Sequence, residues 1–378
     1  MQFLLWMIGW LLPAPAIQDQ PASYPVSAAP VQDSLDLKIG QLLIFGFYGT
    51  SIDRNDPVYK AVQEGKIGSI LLYARNVSKT NSAATLKNMI TSFQQAAPVP
   101  LFVSIDQEGG KVNRLRPEFG FPFMPSAEWL GTINQPDTTQ KYSSIIAGTL
   151  ADLGINLNYA PVLDVKNANC PVLGARERCF SENPETISFH AGIMVQQHHA
   201  YGVGTVLKHF PGHGNSVSDS HLGLTDVSRY WQPYELVPYR QLILNNQADA
   251  IMTAHIVNTQ LDPGRLPATL SPLILKKLLR DSLHFDGVIF SDDMQMKAIS
   301  EQYKLEESIY LALTAGVDVL MFSNNIPGVK DYSPENIHAI IKKLVLEGRI
   351  SAGQIDASFN RVMRFKRKLG VIAAEERP

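Results

Sequence analysis

At 378 residues, with 45% hydrophobic and 18% charged side chains, the chain has the balance of a globular protein with a substantial core, which excludes extensive disorder. Its 33 Lys and Arg against 35 Asp and Glu leave a formal charge of −2. That is too weak a basic field to hold a polyphosphate backbone, so nucleic acid is not an expected partner.

The first element in chain order is a leader. Residues 3–12 form an apolar run followed by Ala14-Pro15-Ala16, the small-x-small form of a signal-peptidase site. The run is shorter than the roughly 20 residues that cross a bilayer, so no stable membrane span is expected. Residues 1–16 read as a secretory signal and the protein as exported, periplasmic or secreted. No Lys or Arg precedes the run, which keeps a cytoplasmic protein or a surface anchor as the alternatives. Residues 17–34, rich in Pro, Ala, Ser and Gln without periodicity, read as a flexible linker.

From Leu35 onward, eight short apolar runs recur: 41–47, 67–73, 100–106, 154–161, 202–209, 248–255, 286–292 and 317–323. Runs without polar alternation are expected of strands covered on both faces, as in a parallel sheet. Between them, 82–96, 139–153, 185–199, 236–245, 273–283 and 305–315 have helical character. Eightfold strand–helix alternation predicts a single-domain α/β fold, a (β/α)8 TIM barrel over 35–370, with an open doubly wound sheet as the structural alternative. A last helix over 356–369 is expected to pack outside the barrel with its Arg and Lys on a solvated face, leaving 371–378 as a tail.

Chemistry in such a barrel sits at the carboxyl ends of the strands. There the runs end in Asp106-Gln107-Glu108, Lys208-His209, Thr253-Ala254-His255 and Ser291-Asp292-Asp293. A single one of these reads as a helix cap; four converging ends read as a site. The densest stretch, 207–224, holds Lys208, His209, His213, Asp219 and His221. His209 and His213 have metal-ligand spacing, but that spacing needs a helix to share a face, and Pro211 and Gly212 stand between them. No metal or other cofactor is expected.

KHFPGHG followed by DSH, with IDQEGG at Ile105, IMTAH at Ile251, TLSP at Thr269 and GVIFSDD at Gly287, resembles glycoside hydrolase family 3. More narrowly, it resembles the single-barrel β-N-acetylglucosaminidase branch, over about residues 35–369. The resemblance implies hydrolysis of terminal β-linked N-acetylglucosamine, from peptidoglycan fragments or chitooligosaccharides, with retention of configuration. The implied partner is thus a carbohydrate substrate. Asp292 matches the family's nucleophile, and its neighbour Asp293 is expected to point elsewhere. His221 paired with Asp219 matches the acid/base, a role an imidazole near neutrality can fill. Asp106, Lys208 and His209 are implied to hold the sugar.

A further Arg contact is implied in the loop VLGARERCFSENP, which is two residues longer than the common form. Arg178 matches best there, with Arg176 as the alternative. Cys170 and Cys179 flank this loop, either as one disulfide or as two thiols. Arg114 reads equally as a sugar contact or a rim salt bridge, and His255 as a support for groups that touch the sugar. A β-glucosidase or β-xylosidase of the same family, transfer to phosphate instead of water, a noncatalytic sugar-binding barrel and a metal-dependent amidohydrolase-like barrel are the rival readings.

Overall fold

The computed structural model describes residues 34–217, 223–326 and 328–373. The leader, all but the last residue of the linker, the tail beyond residue 373, and the expected Asp219–His221 pair lie outside the described residues. The fold starts where Ser34 caps the helix Leu35–Gln41, its hydroxyl accepting from the Leu37 N–H.

Ten strands follow. They are β1 (Leu43–Gly46), β2 (Ser69–Leu72), β3 (Phe102–Ile105), β4 (Leu157–Asn158), β5 (Gly204–Phe210), β6 (Thr225–Asp226), β7 (Ala250–Thr253), β8 (Ile256–Val257), β9 (Val288–Asp293) and β10 (Val319–Phe322). Eight of them close into a parallel barrel in the order β1-β10-β9-β7-β5-β4-β3-β2, while β6 and β8 pair as a separate two-stranded sheet. Strands β1, β2, β3, β7 and β10 are buried at every position. Both faces of the sheet are covered, outside by helices and inside by barrel-filling rings such as Phe45 against Phe322 and Tyr159 against Phe290.

The outer layer contains the helix Ser82–Ala96, which matches its expected bounds, and Pro136–Leu153, which begins at a proline suited to the first helical turn. It also contains Pro184–Ala200, Val237–Leu244, the π-helical stretch Leu273–Ser282 and Leu305–Ala315. Pro57–Gln63, Ala127–Ile133 and Pro334–Leu346 are helices that the sequence reading does not contain.

The last helix, Ala352–Lys368, does lie outside the barrel, but its basic residues are not all on a solvated face. Lys366 is fully buried across the amino-terminal mouth of the barrel, donating to Gln41 Oε1, the Gly68 carbonyl and the Pro100 carbonyl. Three acceptors close the barrel floor around one ammonium, whose pKa burial lowers to about 7. Beside it lies a cleft of about 450 Å³ whose charges are mutually paired, Arg361 and Arg364 with Asp286 and Lys368 with Asp249. The polar strand ends converge at the opposite mouth.

Candidate active site

The carboxyl ends of β3, β5 and β9, with the loop after β4, converge on one mouth of the barrel. Asp106 and Glu108 follow β3, and Lys208 lies on β5. The Lys208 ammonium, 2% exposed, donates to Asp106 Oδ1 at 2.9 Å and reaches Glu108 Oε1 at 2.7 Å. Arg114 closes on Asp106 Oδ2 at 3.3 Å. Arg178 forks onto Glu108, with Nε to Oε2 at 2.8 Å and Nη2 to Oε1 at 2.7 Å, the bidentate geometry that makes Arg–carboxylate pairs strong.

Two carboxylates and three cations thus form one buried cluster. Burial by itself raises the pKa of both acids, but the adjacent cations outweigh it. Lys208 and Arg114 hold Asp106 well below the usual carboxylate range, and Arg178 and Lys208 hold Glu108 at about 2. Both are therefore fully charged acceptors at neutral pH, suited to sugar hydroxyls.

His209 extends the cluster. Its Nδ1 and its backbone N–H meet Asp164 Oδ2 at 2.7 and 3.1 Å, while its Nε2 lies 3.4 Å from Arg178 Nη2. A proton on Nδ1, donated to the carboxylate, leaves Nε2 as an acceptor toward the site. The other Asp164 oxygen accepts from the His213 N–H at 2.7 Å. His213 stands with its ring centroid 6.0 Å from that of His209, and burial lowers its pKa to about 4. The peptide bonds Lys208–His209 and Phe210–Pro211 are cis.

Asp292 and Asp293 end β9 and diverge. Asp292 is half-buried at the mouth, its Oδ1 accepting from the Asp293 N–H at 2.7 Å, and lies within electrostatic reach of His213. Asp293 turns into the wall, where it accepts from the Ser323 hydroxyl, the Ser323 N–H and the Gln295 N–H. Burial raises its pKa to about 6, and neighbouring Asp292 pushes in the same direction. His255 bridges Thr269 Oγ1 at 2.8 Å and the Asp293 carbonyl at 3.0 Å, which braces the strand end from behind. Tyr73, at the end of β2, lies within electrostatic range of both Asp106 and Asp293, with the Arg114 guanidinium 5.3 Å from its ring centroid.

Asp106, Arg114, Arg178, Lys208 and His209 are thus joined by direct polar contacts, with Asp292 near His213 beside them. Arg114 makes a salt bridge within the site itself. Arg176 is exposed, and Arg178 is the arginine that reaches the cluster. Asp164 and Tyr73 are site residues that the sequence reading does not contain, and Glu108 stands in it only as part of the polar end of the third run. Tyr73 directly follows β2 and Glu108 follows β3 by three residues, which is a readable signal, whereas Asp164 lies six residues beyond β4 and has none. Cys170 and Cys179 are free thiols buried with Val162, Val172 and Leu173. Among the described residues no group of three or more His, Cys, Asp and Glu is placed to hold a metal, and no helix is long and apolar enough to cross a membrane.

Comparison with known proteins gives a consistent result. The model of the glycosyl hydrolase family 3 N terminal domain matches residues 34–365. A beta-hexosaminidase of Photobacterium profundum is 35% identical over 268 residues, 71% of this chain and 78% of that protein. Among solved structures, a glycoside hydrolase family 3 beta-N-acetylglucosaminidase from Paenibacillus sp. str. FPU-7 superposes with a TM-score of 0.82 at 33% identity. The match covers 91% of this chain and 64% of the Paenibacillus chain, so this chain spans slightly less than two thirds of that relative. A Beta-N-acetylhexosaminidase from Beutenbergia cavernae DSM 12333 superposes with a TM-score of 0.78 at 29% identity, covering 88% of this chain and 98% of that one.

Proposed function

The chain belongs to glycosyl hydrolase family 3 and is a glycoside hydrolase, and from that premise we propose that it is a retaining exo-β-N-acetylglucosaminidase. Its substrates are terminal β-linked N-acetylglucosamine residues of peptidoglycan fragments or chitooligosaccharides. The observation that carries this reading is the buried cluster of Asp106, Glu108, Lys208, Arg114, Arg178 and His209 beside a half-buried Asp292 at a strand end. Charged acceptors and forked donors on a rigid barrel rim suit the hydroxyls of one terminal sugar, and the Asp292 carboxylate stands at the neighbouring strand end for the chemistry.

In this reading an Asp292 oxygen attacks the anomeric carbon as the glycosidic C–O bond breaks. The electron pair of that bond leaves on the aglycone oxygen, which takes a proton from the His221 imidazolium. A glycosyl ester on Asp292 results. Neutral His221 then removes a proton from water, the water oxygen attacks the same carbon, and Asp292 departs as a carboxylate. Asp219, two residues before His221, supports the imidazolium. Two displacements give net retention.

A panel of nitrophenyl β-glycosides, with the anomeric configuration of the first product followed by NMR, tests substrate and mechanism together. The N-acetylglucosaminide is expected to be hydrolysed fastest, with a β product formed first. Faster turnover of the glucoside or xyloside would overturn the specificity. An α product formed first would overturn the mechanism.

A further inference from the structure

After β5 the chain leaves the barrel between two buried carboxyl groups. Asp164, on the inner side, takes the backbone N–H groups of His209 and His213 and the His209 ring. Glu235, on the outer side, sits in the 3-10 turn Pro233–Leu236 and is 1% exposed. Part of its role is local, because Oε1 accepts from the Gln232 N–H at 3.2 Å and so caps its own turn. The same oxygen also accepts from Asn215 Nδ2 at 2.9 Å, twenty residues earlier on the segment that follows β5.

Close packing surrounds that contact. A Cβ at Gly212, whose φ is +120°, would lie 2.6 Å from Glu235 Oε2, so the backbone passes directly over the carboxyl. A Cβ at Gly214 would lie 1.9 Å from the Val165 carbonyl oxygen, which presses the segment against the loop that carries Asp164. Trp231, just before the turn, donates from Nε1 to the Pro211 carbonyl at 3.0 Å. A side chain whose only task was to fill this space would be apolar, because a buried carboxyl is costly unless its hydrogen bonds serve something.

We propose that Glu235 is a positioning residue for the reaction. By holding Asn215 from outside while Asp164 holds His209 and His213 from inside, it fixes the limb from which the chain runs on to Asp219 and His221. The inference rests on the reading of His221 as the acid/base. Beyond residues 218–222 the chain is anchored again, where β6 pairs with β8 and Asp226 accepts from Ser228 and Arg265.

The titratable groups facing Glu235 are Asp164 across the limb and Tyr239 on the following helix. Burial raises the Glu235 carboxyl to about 7 and Asp164 adds to this, against the donors Asn215, Gln232 N–H and Gly214 N–H. It is neutral below that pH. Above it, a second buried negative charge faces Asp164, while the bond from Asn215 to the charged oxygen becomes stronger.

The test compares Glu235→Ala, Glu235→Gln and His221→Ala on a β-linked disaccharide and on a dinitrophenyl glycoside, from about pH 5 to about pH 9. Glu235→Ala is expected to lower kcat on the disaccharide by about 10-fold or more and on the activated glycoside by less than about 3-fold, a weaker form of the His221→Ala pattern. Glu235→Gln keeps an oxygen for Asn215, so it should restore kcat near neutrality to within about 3-fold of wild type on both substrates. Wild-type kinetics in Glu235→Ala, equal losses on both substrates, or a loss in Glu235→Gln as large as that in Glu235→Ala would each overturn the proposal. If Glu235→Ala does not fold, Asn215→Ala removes the other end of the same hydrogen bond and decides by the same criterion, a graded loss on the disaccharide supporting the proposal and wild-type kinetics overturning it. Equal losses on both substrates in His221→Ala would refute the acid/base reading and this proposal with it. A graded His221→Ala with an unaffected Glu235→Ala would refute the proposal only.

Discussion

Glu108→Gln removes one negative charge from the middle of the cluster without changing its shape. The side chain is 8% exposed, accepts both arms of Arg178 and touches Lys208. Its carboxyl is held at about 2 instead of the ordinary 4.5, which at about 1.4 kcal/mol per tenfold change in acidity corresponds to about 3 kcal/mol of stability at neutral pH. The sign follows from the lowered value: this stabilisation is complete above about pH 4.5 and is lost as pH falls through about 2. The variant changes the local balance from three cations against two carboxylates, a net +1, to three against one, a net +2. Breaking a buried pair costs about 3 to 5 kcal/mol, which agrees in size. Urea unfolding of both proteins at several pH values should therefore show Glu108→Gln about 3 kcal/mol less stable at neutral pH, with the gap narrowing on acidification. A gap below about 1 kcal/mol at neutral pH, or one that does not change with pH, would refute the claim that Glu108 carries the charge of Arg178 and Lys208.

Asp292→Ala should abolish turnover while the fold survives, with added azide restoring some activity and giving an inverted product; near-normal activity in Asp292→Ala but not in Asp293→Ala would reverse the assignment. Arg178→Ala should raise KM by at least about 10-fold, the loss expected for one charged hydrogen-bonding partner, while exposed Arg176→Ala leaves KM unchanged; Michaelis–Menten curves for the pair decide between them. His221→Ala should lose about 10²- to 10⁴-fold on a natural disaccharide and far less on a dinitrophenyl glycoside, and Asp219→Ala should show the same gradient more weakly. If residues 1–16 are a cleaved signal, Edman sequencing of protein recovered from its producing cells will begin at Ile17.

The barrel was legible because covered parallel strands leave a signal that needs no partner: each run is apolar on both faces, and turn residues bound it. The helix Ser82–Ala96 was legible to the residue for a similar local reason, since apolar Leu86, Met89, Ile90 and Phe93 fall on one buried face. Pro334–Leu346 was overlooked although Ser333, Pro334 and Glu335 form a helix-start signature. Strands β6 and β8 have two residues each, which leaves no periodicity to read. Lys366 fails for a different reason. In a run of basic residues nothing local separates the one that meets Gln41, Gly68 and Pro100 from its solvated neighbours, because those acceptors lie roughly 270 to 325 positions away in the chain.

The same distinction divides the site. Asp106, Lys208, His209 and Asp292 were legible because a polar residue closing an apolar run is anomalous on its own, whatever it later touches. Glu108 and Asp164 carry roles defined by partners: Arg178 is seventy residues beyond the first, and His209 forty-five beyond the second. Without those partners Glu108 is one more polar residue at the end of the third run, and Asp164 reads as an ordinary loop acid. The choice between Arg176 and Arg178 shows how fine the missing information is. The two are separated by Glu177, which adopts a left-handed conformation with φ +60° and ends the short turn Gly174–Arg176. That reversal leaves Arg176 in solvent and turns Arg178 inward, where Val172 O, Glu108 and His209 receive it. A left-handed residue that is neither Gly nor Asn has little sequence signature, so the resemblance favours Arg178 but leaves Arg176 open until the turn is seen.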